Sequence, residues 1–153
     1  MATIVSKTKI SILLTILLAS QAIAGPLMQS TDKYMSDKNA RVTEVQQLCR
    51  SKLASTKQDN NGKQTMLYVC AFDTGHTTGF SAQTQDAGKV VDLAKIQGTD
   101  YTFEMMSVIQ SEIKSCSQAN NTQTQSDVIY CMAMKGYSHG KKYGQVYLEQ
   151  SRK

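Results

Sequence analysis

No two cysteines in this chain lie close enough to form a C-x2-C pair, and only two histidines, His76 and His139, accompany the four cysteines. Structural zinc is usually held by closely paired ligands, so a zinc-built fold is not the reading to prefer, and no metal or cofactor is expected. Asp73 lies three residues before His76, and Ser138 lies next to His139. No G-x-S-x-G or comparable nucleophile frame surrounds either pair, so the chain is not read as an enzyme and no catalytic residue is assigned. The histidines are read as surface residues. Basic side chains form no dense stripe, since Lys141, Lys142, Arg152 and Lys153 make only a thin tail, and this argues against nucleic acid as a partner. The apolar run Ile10 to Ala19 is shorter than the roughly 20 residues a bilayer-spanning helix needs.

That run is instead the length of a signal-peptide core. Lys7 and Lys9 precede it and Ala22-Ile23-Ala24 follows, which predicts export, cleavage after Ala24, and no stable membrane span thereafter. Residue 25 is glycine, so that junction carries no cysteine for lipid attachment. Without Lys7 and Lys9, 15 basic residues remain against 12 acidic ones, a net charge of +3 that a solvated surface accounts for. All four cysteines fall in the mature part, and an even count in an exported chain reads as two disulfides.

Their pairing is suggested by an internal repeat. Residues 68–79 read Y-V-C-A-F-D-T-G-H-T-T-G and residues 130–140 read Y-C-M-A-M-K-G-Y-S-H-G. Each contains Cys-x4-Gly-x3-Gly, as Cys70, Gly75, Gly79 and Cys131, Gly136, Gly140, and each has an earlier cysteine, Cys49 or Cys116. Three connectivities are available to four cysteines, and the duplication favours Cys49–Cys70 with Cys116–Cys131. Each bridge would restrict the unfolded chain by about 3 kcal/mol.

In chain order, residues 25–35 contain the single proline, Pro26, and little periodicity, which predicts a flexible lead-in. Ser36 or Asp37 is placed to cap a helix carrying Val42, Val45, Leu48, Cys49 and Leu53 on one face, ending near Ser55. The stretch Gln58 to Gly62 predicts a loop. From Gln64 to about Gln83 a continuous apolar run admits either a helix or two strands with a turn at Asp73-Thr74-Gly75. The helix is preferred because Gly75 and Gly79 then share a face, and small residues four apart let a second helix approach closely. Two such glycines need a packing reason, since each costs about 1 kcal/mol in a helix relative to alanine. Ser81 to Gly88 reads as a polar connection, and Val90 to Ile96 as a short helix stopped by Gly98. Met105, Met106, Ile109, Ile113 and Cys116 form an apolar stripe on the next helix, which Asn120-Asn121 ends. The last segment, 126–150, repeats the cysteine and glycine pattern. The predicted fold is therefore mainly α: one domain over 36–150, built from two disulfide-stapled helix-loop-helix units, about 36–83 and 99–150. The mature methionines are read as core filler rather than copper ligands.

A cysteine ending one helix, a short polar loop, then Tyr-Cys followed by an aromatic and a glycine resembles the periplasmic immunity proteins that neutralise type VI secretion amidase effectors. The positions that carry the likeness are Cys49, Tyr68, Cys70, Phe72 and Gly75, and again Cys116, Tyr130, Cys131 and Gly136. The resemblance implies a small helical, disulfide-bonded periplasmic domain that plugs the groove of a cell-wall-degrading enzyme. The expected function is thus an exported protein-binding domain of the inhibitor or immunity type, with another periplasmic or envelope protein as partner. The alternative is an accessory subunit of an envelope secretion or conjugation machine, and a third reading is a hydrolase or metal carrier using His76, Asp73 and His139. Tyr137, His139, Lys141, Lys142 and Tyr143 form the candidate interface, because aromatic and basic residues concentrate there beside a glycine-rich bend.

Overall fold

The computed structural model describes residues 26–54, 57–89, 91, 99–119 and 124–152, and these form five helices. They are α1 (Pro26–Ser36), α2 (Lys38–Ala54), α3 (Asn60–Asp86), α4 (Thr99–Gln118) and α5 (Gln125–Gln150). The signal segment and most of Val90 to Ile96 lie outside the described residues. No described helix is long and apolar enough to cross a membrane.

Local chemistry starts the helices where it can. Asp37 accepts a hydrogen bond from the Ala40 amide at 3.0 Å and so caps α2. Asp59 does the same for α3 through the Gly62 amide at 2.8 Å. The predicted loop therefore ends at Asp59, and Asn60 to Gly62 form the first turn of the helix. At the start of α5, Thr124 and Asp127 form a reciprocal capping box. Lys38 of α2 pairs with the same Asp127. Those bonds hold the Asp127 carboxyl well below its ordinary range. The far end of α3 closes at Gly88, whose φ of +73° suits glycine, with Gly88 N–H on Gln85 O and Lys89 N–H on Thr84 O. Residues 81–86, read as connection, thus belong to α3.

The long helices α3 and α5 are the frame. Both predicted disulfides are present, Cys49–Cys70 tying α2 to α3 and Cys116–Cys131 tying α4 to α5, with Cα separations of 6.1 and 5.8 Å. Cys49 and Cys116 are fully buried. A single core joins Met35, Val42, Val45, Phe72, Ile109, Ile129, Met132 and their neighbours from all five helices. Of the predicted α2 stripe, Leu48 is the member that turns outward, at 52% exposure.

The four repeat glycines lie in the contact between α3 and α5. A Cβ at Gly75 would stand 2.0 Å from the Ala133 carbonyl oxygen, and one at Gly79 would stand 2.3 Å from that of Tyr137. Reciprocally, a Cβ at Gly136 would stand 2.0 Å from Phe72 O, and at Gly140 2.0 Å from His76 O. Partner numbers rise together along both helices, so the pair is parallel. Gly75 pairs with Gly136 and Gly79 with Gly140 at a constant offset of 61 residues (136 − 75 and 140 − 79), so the repeat units meet in register. Each glycine hydrogen is pressed against a carbonyl oxygen of the other helix, the setting in which Cα–H···O contacts recur.

The predicted flexible lead-in is a helix, α1, and its support is tertiary. Asp86 of α3 accepts from the Leu27 amide at 3.0 Å, placing a negative charge at the helix N-terminus. The Tyr130 hydroxyl of α5 donates to the Met35 and Ser36 carbonyls at 3.1 and 3.3 Å, closing its other end. Midway, Asp32 accepts from Tyr137 Oη at 2.7 Å and from Lys141 Nζ at 3.0 Å. Partial burial opposes the charge on Asp32, but these two bonds prevail and hold its carboxyl below the usual value. At the joint with α2, the Arg41 guanidinium lies over the Tyr34 ring and pairs with Glu44, which also accepts from Tyr34 Oη.

Candidate functional site

Glycines every four residues bring backbones together, and rings at the same spacing line one flank of the seam. Phe72, His76 and Phe80 are four apart on α3, as are His139, Tyr143 and Tyr147 on α5. They alternate as a zipper. Phe72 to His139 is 6.0 Å between ring centres, His139 to His76 6.0 Å, His76 to Tyr143 5.7 Å, Tyr143 to Phe80 5.7 Å, and Phe80 to Tyr147 5.8 Å. All five lie within the 4.5–7 Å, roughly, at which aromatic pairs attract.

The histidines are therefore ring members of a packed seam rather than surface residues, His76 being 1% exposed. Burial, with the second imidazole close by, pushes the His76 imidazolium down to about 4. His139 is lowered by burial and by Lys142, with Glu112 acting against them. Its Nδ1 is buried and makes no hydrogen bond among the described residues. Both rings are consequently neutral at physiological pH. No group of three potential metal ligands converges among the described residues.

A stability profile follows from this placement. The folded pKa of His76, about 4, lies below the ordinary 6.5, so as pH falls the unfolded chain takes up the proton first. The group's contribution is complete above pH 6.5 and is lost between 6.5 and about 4. The loss is up to about 3 kcal/mol, reduced where water reaches the ring and screens its charge. Asp32 and Asp127, with lowered pKa values, lose their contributions at lower pH and do not mask it, while His139, also lowered, adds to the same decline. Urea midpoints measured at pH 7.5, 5.5 and 4.5 should fall steadily, and His76→Phe, which keeps a ring in the zipper, should flatten the decline by about half or more. An unchanged slope in that variant would exclude His76 as its cause.

The same stretch of α3 floors a cleft of about 640 Å³ between the end of α2, the first half of α3 and α4. Leu53, Met66, Val69, Phe72, Met106 and Ile109 give it apolar walls, and the Asp73 carboxylate and His76 ring supply polar groups one helical turn apart. The third reading from sequence named these two residues together with His139. All three lie on or near this part of α3 and α5, but His139 faces the ring seam and is not part of the cleft lining.

The candidate interface is distributed differently. Tyr137 is buried against α1, with burial and the Asp32 bond raising its phenol far above the ordinary value. Lys141 is paired with Asp32, and Tyr143 and His139 sit in the ring zipper. Lys142 alone of the five is exposed. The zipper and the cleft were not assigned from sequence. The i, i+4, i+8 recurrence of rings on two segments was a usable signal for the zipper, whereas nothing local announces a cleft shared by three helices.

No known protein family, curated protein or solved structure matches the chain.

Proposed function

We propose that this protein is an exported, periplasmic binding domain that acts on another protein, of the inhibitor or immunity type, with a cell-wall-degrading enzyme as its target. The observation that supports this most is the frame itself: two closed disulfides, one per helix pair, brace the two long helices that meet through glycine. Disulfides persist in oxidising compartments, which agrees with the export signal at the start of the sequence. A braced helical frame suits binding because little conformational freedom is lost on association. Large apolar side chains stand out on it, Tyr34, Leu48, Met106 and Val146 among them.

The test is affinity capture with the mature, oxidised protein in a periplasmic extract, followed by titration of whatever is bound. The expected result is one stoichiometric soluble hydrolase whose activity falls to near zero at one equivalent. Several co-purifying subunits of a membrane complex would overturn the inhibitor reading in favour of an accessory subunit. A catalytic or metal-carrying role would instead show as activity or bound metal lost from Asp73→Ala and His139→Ala.

A further inference from the structure

We propose that the cleft on α3 is a binding site for a small organic amine, its apolar body seated among the methionines and Phe72 and its ammonium on the Asp73 carboxylate. The inference concerns a ligand of the protein itself and does not depend on the identity of any protein partner. A volume of about 640 Å³ falls among cavities that enclose small molecules, about 300–1,000 Å³. The walls decide the first half of the ligand's chemistry. Met66, Met105 and Met106 bring three flexible thioethers to one cleft, a surface that adapts to apolar shapes without demanding one.

Charge decides the second half. Among the described residues Asp73 is the one charged side chain in the lining, and its carboxylate makes no hydrogen bond or ion pair there. Unlike the buried Phe72 and His76 beside it, Asp73 is exposed, so the negative group stands at the mouth and the apolar surface lies inward. An occupant with a cationic head and an apolar body meets both conditions in one orientation. A fatty-acid anion would place its carboxylate against Asp73 and is disfavoured, and a neutral alcohol gains only the apolar contacts.

The full mature, oxidised protein should be titrated with n-octylamine, n-octanol and n-octanoate below their aggregation limits, by calorimetry and by NMR of 13C-methyl methionine. Octylamine should bind about two- to fivefold more tightly than octanol, the difference typical of one exposed charge pair, with octanoate weaker than either. The methyl signals of Met66, Met105 and Met106 should shift, while the core residues Met35 and Met132 should not. Asp73→Asn, a change at an exposed site, should erase the preference for amine over alcohol. Met106→Lys, at a side chain 41% exposed, should abolish amine binding without unfolding the protein. Equal binding of amine and alcohol, or an Asp73→Asn protein that keeps the preference, would overturn the proposal. So would cleft methionines that ignore all three probes and respond only to a captured protein, which would make the cleft a protein contact.

Discussion

Gly140→Ala should destabilise the protein by about 2 kcal/mol, despite alanine being the better helix former. The added methyl would lie 2.0 Å from the His76 oxygen, 2.8 Å from its carbon and 2.9 Å from the Phe80 nitrogen, all backbone atoms. No rotamer relieves a clash between a Cβ and a main chain, so the two helices must separate. Separation also loosens the rings that alternate beside the seam. Overpacking costs of about 1–3 kcal/mol therefore apply at their upper end, and the gain of about 1 kcal/mol in helix propensity offsets only part. Gly75→Ala and Gly136→Ala, each 2.0 Å from a carbonyl oxygen, should behave alike. Once the axes have moved for one methyl, a second costs less, so Gly136→Ala/Gly140→Ala should lose less than the sum of its parts. Gly144 supplies the control. Its Cβ would stand 3.0 and 3.1 Å from Gln83 Cβ and Cγ and 3.3 Å from the Phe80 oxygen, contacts that need far less give than those at the other sites, so Gly144→Ala should cost less than about 1 kcal/mol once the helix-propensity gain is counted. Denaturation midpoints followed by far-UV circular dichroism rank the series, and a Gly140→Ala protein as stable as the parent would refute the close-contact account.

Removing either disulfide should cost about 3 kcal/mol and lower the melting temperature by on the order of 10 °C. The bridges span 21 and 15 residues, a difference that changes loop entropy by only a few tenths of a kcal/mol, about 0.3. The two should therefore be near equal on entropy alone. They brace different helix pairs, so their losses should be nearly additive, and removing both should take away about 6 kcal/mol. That approaches the whole stability of many domains, about 5–15 kcal/mol, so the doubly substituted protein should be largely unfolded at physiological temperature. Thermal melts of Cys49→Ala/Cys70→Ala, of Cys116→Ala/Cys131→Ala and of the fourfold variant test this. A fourfold variant that melts within a few degrees of the parent would show that the core holds the helices without the bridges.

What the sequence made legible was carried by spacing. Cysteines and glycines repeated at matching intervals, and those intervals sufficed to expect the helical class, the disulfide pairing and the packing role of Gly75, Gly79, Gly136 and Gly140. What escaped notice depends on partners distant in sequence. Among its described side chains α1 has Met35 as its buried apolar residue, and both its ends and its middle are held by Asp86, Tyr130, Tyr137 and Lys141 from other helices. Locally, Pro26 in the first helical position suits a helix start, but the groups that hold the helix lie far away in the chain. Because α1 was not foreseen, Tyr137 and Lys141 seemed available for an outside partner although they serve an inside one. The cleft was hidden for a related reason, since Met105 and Met106 obey the same periodicity whether they face a core or a cavity.

The in-register glycine seam has a further consequence. Gly75 sees residues 133 and 137 while Gly136 sees 72 and 76, so the same offset of 61 residues turns one set of contacts into the other. Such a surface is its own complement, the property that defines the interface of a two-fold symmetric dimer. Here both halves belong to one polypeptide, and an encounter that between separate molecules would follow protein concentration becomes intramolecular, at the high effective concentration that a tether supplies. The folded state is thereby insulated from dilution.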